Sequence, residues 1–108
     1  MLLGAATIGL RAAAQPEEQV IKILARRFTY TPNKLSLKRG VPVVLELTSA
    51  DVLMGFNAPD FDVRADIIPG KVARVRLVPE KVGTFTFLCD IFCGSGHETM
   101  NGTITVVA

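Results

Sequence analysis

Twelve consecutive residues, Cys89 to Met100, carry both cysteines, the only histidine and one of the three methionines of this chain. Cys89, Cys93 and His97 stand four apart, and Met100 follows three later. Apart from the first residue, the remaining methionine is Met54, in the segment Asp51-Val52-Leu53-Met54-Gly55-Phe56. Thiolate, imidazole and thioether together select a soft metal, because ligand softness and not raw affinity sets the preference. The donor set points to copper.

The inventory also excludes sites. A mononuclear blue-copper centre takes two imidazoles and one thiolate, and a single histidine cannot supply that. His97 must be neutral to bind, with its second ring nitrogen on an acceptor that fixes the ring. Gly94 and Gly96 are expected to let the loop fold back over a metal. Zinc is the second candidate, with Asp90 or Glu98 completing a set of four, although structural zinc favours Cys-x-x-Cys knuckles and has no use for methionines. A Cys89–Cys93 disulfide is the structural alternative in an oxidising compartment. So short a loop contributes little through chain entropy, and it leaves His97 and Met100 without a role. No paired carboxylates or nucleophile–base arrangement accompanies the loop, so no catalysis of its own is expected.

The elements that must position these residues read as short strands. Val20 to Phe28 forms a first strand and Leu35 to Lys38 a second, with Pro32-Asn33 between. Val41 to Thr48 places Val43, Leu45 and Leu47 on one face. Asp51 to Pro59 reads as a loop carrying Met54, and Phe61 to Ile67 as a short edge strand closed by Pro69-Gly70. Lys71 to Val78 turns Ala73, Val75 and Leu77 inward. Thr84 to Leu88 puts Phe85 and Phe87 on the core side and runs straight into Cys89, while Gly102 to Val107 turns Ile104 and Val106 inward. Seven or eight strands without a helix predict an all-β Greek-key sandwich, in which the loop before the last strand and an earlier loop meet at one end. Leu53, Phe56, Ala58, Pro59 and Phe92 are expected to form an apolar rim around that end.

At 108 residues, 49% apolar and +2 in net charge, the chain suits one domain with a real core. Its charges are interspersed, which excludes a nucleic-acid surface. Leu2 to Leu10 is a short apolar run followed by Ala12-Ala13-Ala14, the pattern of an export signal over residues 1–14, with the domain over 15–108. Nine apolar residues fall short of the about 20 that span a bilayer, so no transmembrane span is expected in the mature chain. Export places the domain in the periplasm or an equivalent compartment.

The run Cys89-Asp-Ile-Phe-Cys93-Gly-Ser-Gly-His97-Glu-Thr-Met100 resembles the CuA domain of cytochrome c oxidase subunit II, a cupredoxin with the pattern Cys-x-x-x-Cys-x-x-x-His-x-x-Met. Asp51 to Phe56, with Pro59, is similar to that family's Asp-Val-x-His segment, and Arg64-Ala65-Asp66-Ile67-Ile68-Pro69-Gly70 to the stretch that follows it. The resemblance covers roughly Val41 to Val107. It implies a cupredoxin-like fold holding one or two copper ions. Cys89 and Cys93 would bridge, His97 and Met100 would be terminal ligands, and the Ile91 backbone carbonyl would add a contact. Met54 stands where the family has its other histidine ligand; a thioether there favours Cu(I) and raises the reduction potential. The implied function is one-electron transfer with a redox partner protein. The alternative is a Cu(I) carrier or copper-tolerance protein that hands metal to an acceptor protein. The loop is also similar to copper-assembly proteins of thioredoxin type, but those need a βαβ crossover, and none is read here.

Overall fold

Period-two alternation of apolar residues builds the strands, since successive side chains in a pleated strand face opposite sides. The structure, a computed structural model, describes residues 18–108, so the export signal read at residues 1–14 lies outside the described residues. The strands are β1 (Gln19–Arg26), β2 (Thr29–Thr31), β3 (Lys34–Lys38), β4 (Val43–Ser49), β5 (Met54–Ala58), β6 (Val63–Ile67), β7 (Ala73–Leu77), β8 (Gly83–Leu88) and β9 (Asn101–Val107). One sheet has the order β2-β1-β4-β7 and the other β3-β9-β8-β5-β6. Pairing is parallel between β1 and β4 and between β3 and β9, and antiparallel elsewhere. The all-β sandwich expected from the sequence is the observed architecture.

Between the sheets lie Ile23, Val43, Leu45, Leu47, Phe56, Ile67, Phe87, Ile104 and Val106, all essentially inaccessible to water. The inward sets read for β4, β8 and β9 are thus in the core, with Phe85 half-buried against Phe61 at a ring separation of 5.3 Å. Among the described residues no helix is long and apolar enough to cross a membrane.

Among the described residues there are nine strands instead of seven or eight, because two short ones escape the alternation pattern. Strand β2 is three residues long and is held by pairing with the end of β1 (Leu24↔Thr31, Ala25↔Tyr30). Strand β5 occupies the segment read as a loop. Its Met-Gly-Phe-Asn-Ala run has a central glycine, which weakens an isolated strand. Here β6 pairs along its whole length, from Met54↔Ile67 to Ala58↔Val63, and β8 joins it at Asn57↔Leu88. Tertiary pairing overrides local preference.

Candidate metal centre

Strands β8 and β9 stay paired to Leu88↔Asn101. One step further, the Cys89 N–H donates to the Met100 carbonyl at 3.2 Å. That bond closes a hairpin loop whose two ends, Cys89 and Met100, are both buried. Inside the loop a 3-10 turn spans His97–Thr99, held by His97 N–H to the Gly94 carbonyl at 3.1 Å and Thr99 N–H to the Gly96 carbonyl at 3.2 Å.

The turn brings the donors together. Cys89 Sγ and Cys93 Sγ stand 4.0 Å apart, and Cys93 Sγ lies 4.0 Å from His97 Nδ1 and 3.9 Å from Met100 Sδ. The Cys89 thiol donates to the Ile91 carbonyl at 3.2 Å. The ligand atoms of Cys89, Cys93 and His97 all fall within 4.8 Å of one another. Both cysteines are free thiols. Since a metal–thiolate bond is about 2.3 Å, two sulfurs at this separation can both reach one ion. The donor set present therefore fits a soft metal such as copper.

Cys93 is the hub of these contacts. Burial pushes its thiol up to about 11, and the neighbouring Cys89 adds to the rise. Without metal it is a neutral thiol at pH 7, so metal binding must displace its proton. Asp90, a candidate fourth ligand for zinc, has both carboxylate oxygens on Arg64, at 2.7 Å each. Hydrogen bonds from that guanidinium hold its carboxyl below the usual carboxylate range. Glu98 is exposed on the 3-10 turn. In this structure Asp90 is thus committed to Arg64.

Met54 is the first residue of β5 and fully buried. It shares the inward face of that strand with Phe56 and Ala58, and one buried cluster with Cys89 and Met100. The close sulfur and nitrogen contacts run among Cys89, Cys93, His97 and Met100, and Met54 is in none of them. The acceptor expected for the second nitrogen of His97 is not among the hydrogen bonds of the described residues. Instead its ring packs against Phe92 at 5.7 Å.

The expected apolar rim needs correction. Phe56 and Ala58 are core residues, because β5 is a strand whose inward face they occupy. Leu53 and Phe92 are exposed, Phe92 by 73%, and Pro59 also faces solvent. The two loop glycines have different reasons. Gly94 has φ +143°, a left-handed region that favours glycine. Gly96 has φ −102°, open to any residue. It is small because a Cβ there would lie 2.7 Å from the Phe28 ring.

Phe28 and Tyr30 were missed in the sequence, and Asp51 was read only as part of the segment leading to Met54. Phe28, in the turn between β1 and β2, floors the ligand loop beneath Gly94 and Gly96. Tyr30 is buried and donates from its hydroxyl to the Gly55 carbonyl at 2.7 Å, one residue from Met54. Burial, with the charge of Cys89 nearby, drives its phenol above the ordinary range. Asp51 accepts from the Arg27 N–H at 3.2 Å, a bond that holds its carboxyl below the usual value and ties the loop before β5 to the same turn. A Phe or Tyr in an apolar strand carries no signal of what it supports.

A two-sheet β-sandwich with a soft-donor loop between its last two strands defines a cupredoxin. The chain belongs to that family: the model of the cupredoxin-like domain matches residues 1–106. A cytochrome c oxidase subunit 2 from Thermus thermophilus is 34% identical over 91 residues, covering 84% of this chain and 67% of that protein. A chain of a haem-copper terminal oxidase dimer superposes with a TM-score of 0.75 at 29% identity, covering 82% of this chain and 65% of that one. The periplasmic domain of subunit II of cytochrome oxidase from Bradyrhizobium japonicum gives a TM-score of 0.78 at 24% identity, over 85% of this chain and 86% of that one, and shows the shared fold. The chain spans from 27% to 67% of the length of the first curated relatives it matches. Its Cys89, Cys93 and His97 cluster fits the CuA-like loop.

Proposed function

We propose that this chain is an exported copper protein that passes single electrons to and from a redox partner. The observation that carries the reading is the convergence of two free thiols, an imidazole and a thioether in one hairpin loop of a cupredoxin sandwich. Cys89 and Cys93 would hold two copper ions between them, with His97 and Met100 as terminal ligands and the Ile91 carbonyl beside Cys89. Met54 would replace the family's other imidazole. Copper, when bound, supplies a one-electron couple.

The chain's own residues supply rigidity. The Cys89–Met100 backbone bond, the 3-10 turn and the Phe28 floor would hold the donors in one arrangement. Small relaxation between oxidation states is what electron transfer requires of a scaffold. That relatives are cytochrome c oxidase subunits supports a redox partner in such an oxidase, and that one solved neighbour is a periplasmic domain supports export.

Met54 favours a second reading, a Cu(I) carrier, because a buried thioether is a softer donor than imidazole. Voltammetry of the copper-loaded protein separates the two. An electron carrier gives a reversible wave with copper retained through repeated cycles. A carrier of metal loses copper or forms a Cys89–Cys93 disulfide on oxidation. Met54→His is expected to lower the reduction potential, since imidazole holds Cu(II) better than thioether does. An unchanged potential in that variant contradicts a ligand role for Met54.

A further inference from the structure

The loop is also held from behind, by a residue 26 positions earlier in the chain. Side chains along the β8 extension alternate, so Cys89 faces inward to the metal donors while Asp90 faces out over the sheet. Arg64, on the outer face of β6, reaches across β5 and takes Asp90 in a two-point fork: Nε to Oδ2 at 2.7 Å and Nη2 to Oδ1 at 2.7 Å. A third bond, Nη1 to Asp66 Oδ1 at 2.9 Å, aims the guanidinium from its own strand. The fork passes directly over Gly55. A Cβ at Gly55 would collide with Asp90 Oδ1 and lie 3.2 Å from Arg64 Nη2, so the closed strap requires a glycine beneath it.

This strap spans the weakest seam of the sheet. Strands β5 and β8 share the single pair Asn57↔Leu88; beyond it β5 runs on to Met54 and β8 into the ligand loop. We propose that Arg64 is a positioning residue for the metal loop. Its fork on Asp90 fixes the backbone that carries Cys89 on one side and the Ile91 carbonyl on the other, and holds it against the strand that carries Met54. The inference rests on the copper reading for its effect on metal, but the grip itself is a property of the metal-free chain. An exposed ion pair contributes little as charge alone. A bidentate fork adds fixed geometry, which a lysine cannot reproduce.

The test compares wild type with Arg64→Gln, Arg64→Lys and Gly55→Ala. In the metal-free proteins, amide exchange at Asp90, Ile91 and Phe92 is expected to quicken by about tenfold or more in each variant, as befits loss of charge-assisted bonds. After loading with Cu(I), affinity measured against a chelator is expected to fall about 10–100-fold, the usual range for partners that orient metal ligands. The absorption and EPR lines of the oxidised site should broaden in all three. Wild-type affinity and spectra in Arg64→Gln overturn the proposal, even if exchange quickens, because the strap is then merely structural. Full restoration by Arg64→Lys also overturns it, since charge would suffice. If wild type itself retains no copper, the proposed function fails, and unchanged amide exchange in Arg64→Gln would separately refute the strap.

Discussion

Cys93→Ser lowers Cu(I) affinity by about a hundredfold or more and leaves the fold standing. Among the described residues Cys93 is the only donor in close contact with three others, Cys89, His97 and Met100. Structural zinc in four-ligand finger peptides binds with about 10–16 kcal/mol, which sets the scale for losing one thiolate. One ligand of four is then worth about 3 kcal/mol, or a little over a hundredfold. Serine keeps the shape of the side chain but offers a hard oxygen that soft Cu(I) discriminates against. Cys93 lies outside the strands and is half-buried, so its loss should shift stability by only about 1 kcal/mol. Chelator competition measures the affinity, with a thermal melt of the metal-free protein as control. Wild-type affinity in this variant contradicts the hub role.

Phe87→Ala unfolds a large part of the population under mild denaturant. Phe87 is fully buried near the end of β8, two residues before Cys89. Its ring meets Tyr30 at 5.0 Å and Phe56 at 5.1 Å, joining β2, β5 and β8 across the two sheets. It also lies flush on Gly102 of β9, where a Cβ would collide with the ring. Removing so large a side chain from a close-packed core costs about 3–5 kcal/mol, against a total stability of about 5–15 kcal/mol for a domain. Urea titration should show a lower midpoint with an unchanged slope. The same truncation loosens Tyr30, whose hydroxyl holds Gly55 beside Met54, so copper affinity should fall with stability. A midpoint within error of wild type contradicts this account of the core.

The donor loop was legible in the sequence because it is local. Twelve residues carry four of the five side-chain donors read there, and the strands on either side alternate without a break. The sandwich was legible for the same reason in Val43, Leu45 and Leu47, or in Ile104 and Val106. Strand β5 was not, since Gly55 interrupts its pattern and its hydrogen bonds come from neighbours remote in sequence. The supports of the site are non-local too. Phe28 beneath Gly96 and Arg64 on Asp90 are separated by dozens of residues, and nothing in the identity of either announces its partner. Gly96 shows the limit well: its small size was readable, but the ring that demands it was not.

The most direct measurement of the central claim is metal analysis with EPR on protein loaded with copper under reducing conditions and then oxidised by one electron. Two copper ions per chain, with a spectrum of one unpaired electron shared between both nuclei, is the result expected if Cys89 and Cys93 bridge a pair. One copper per chain with an ordinary localised signal, or no retained copper, contradicts it.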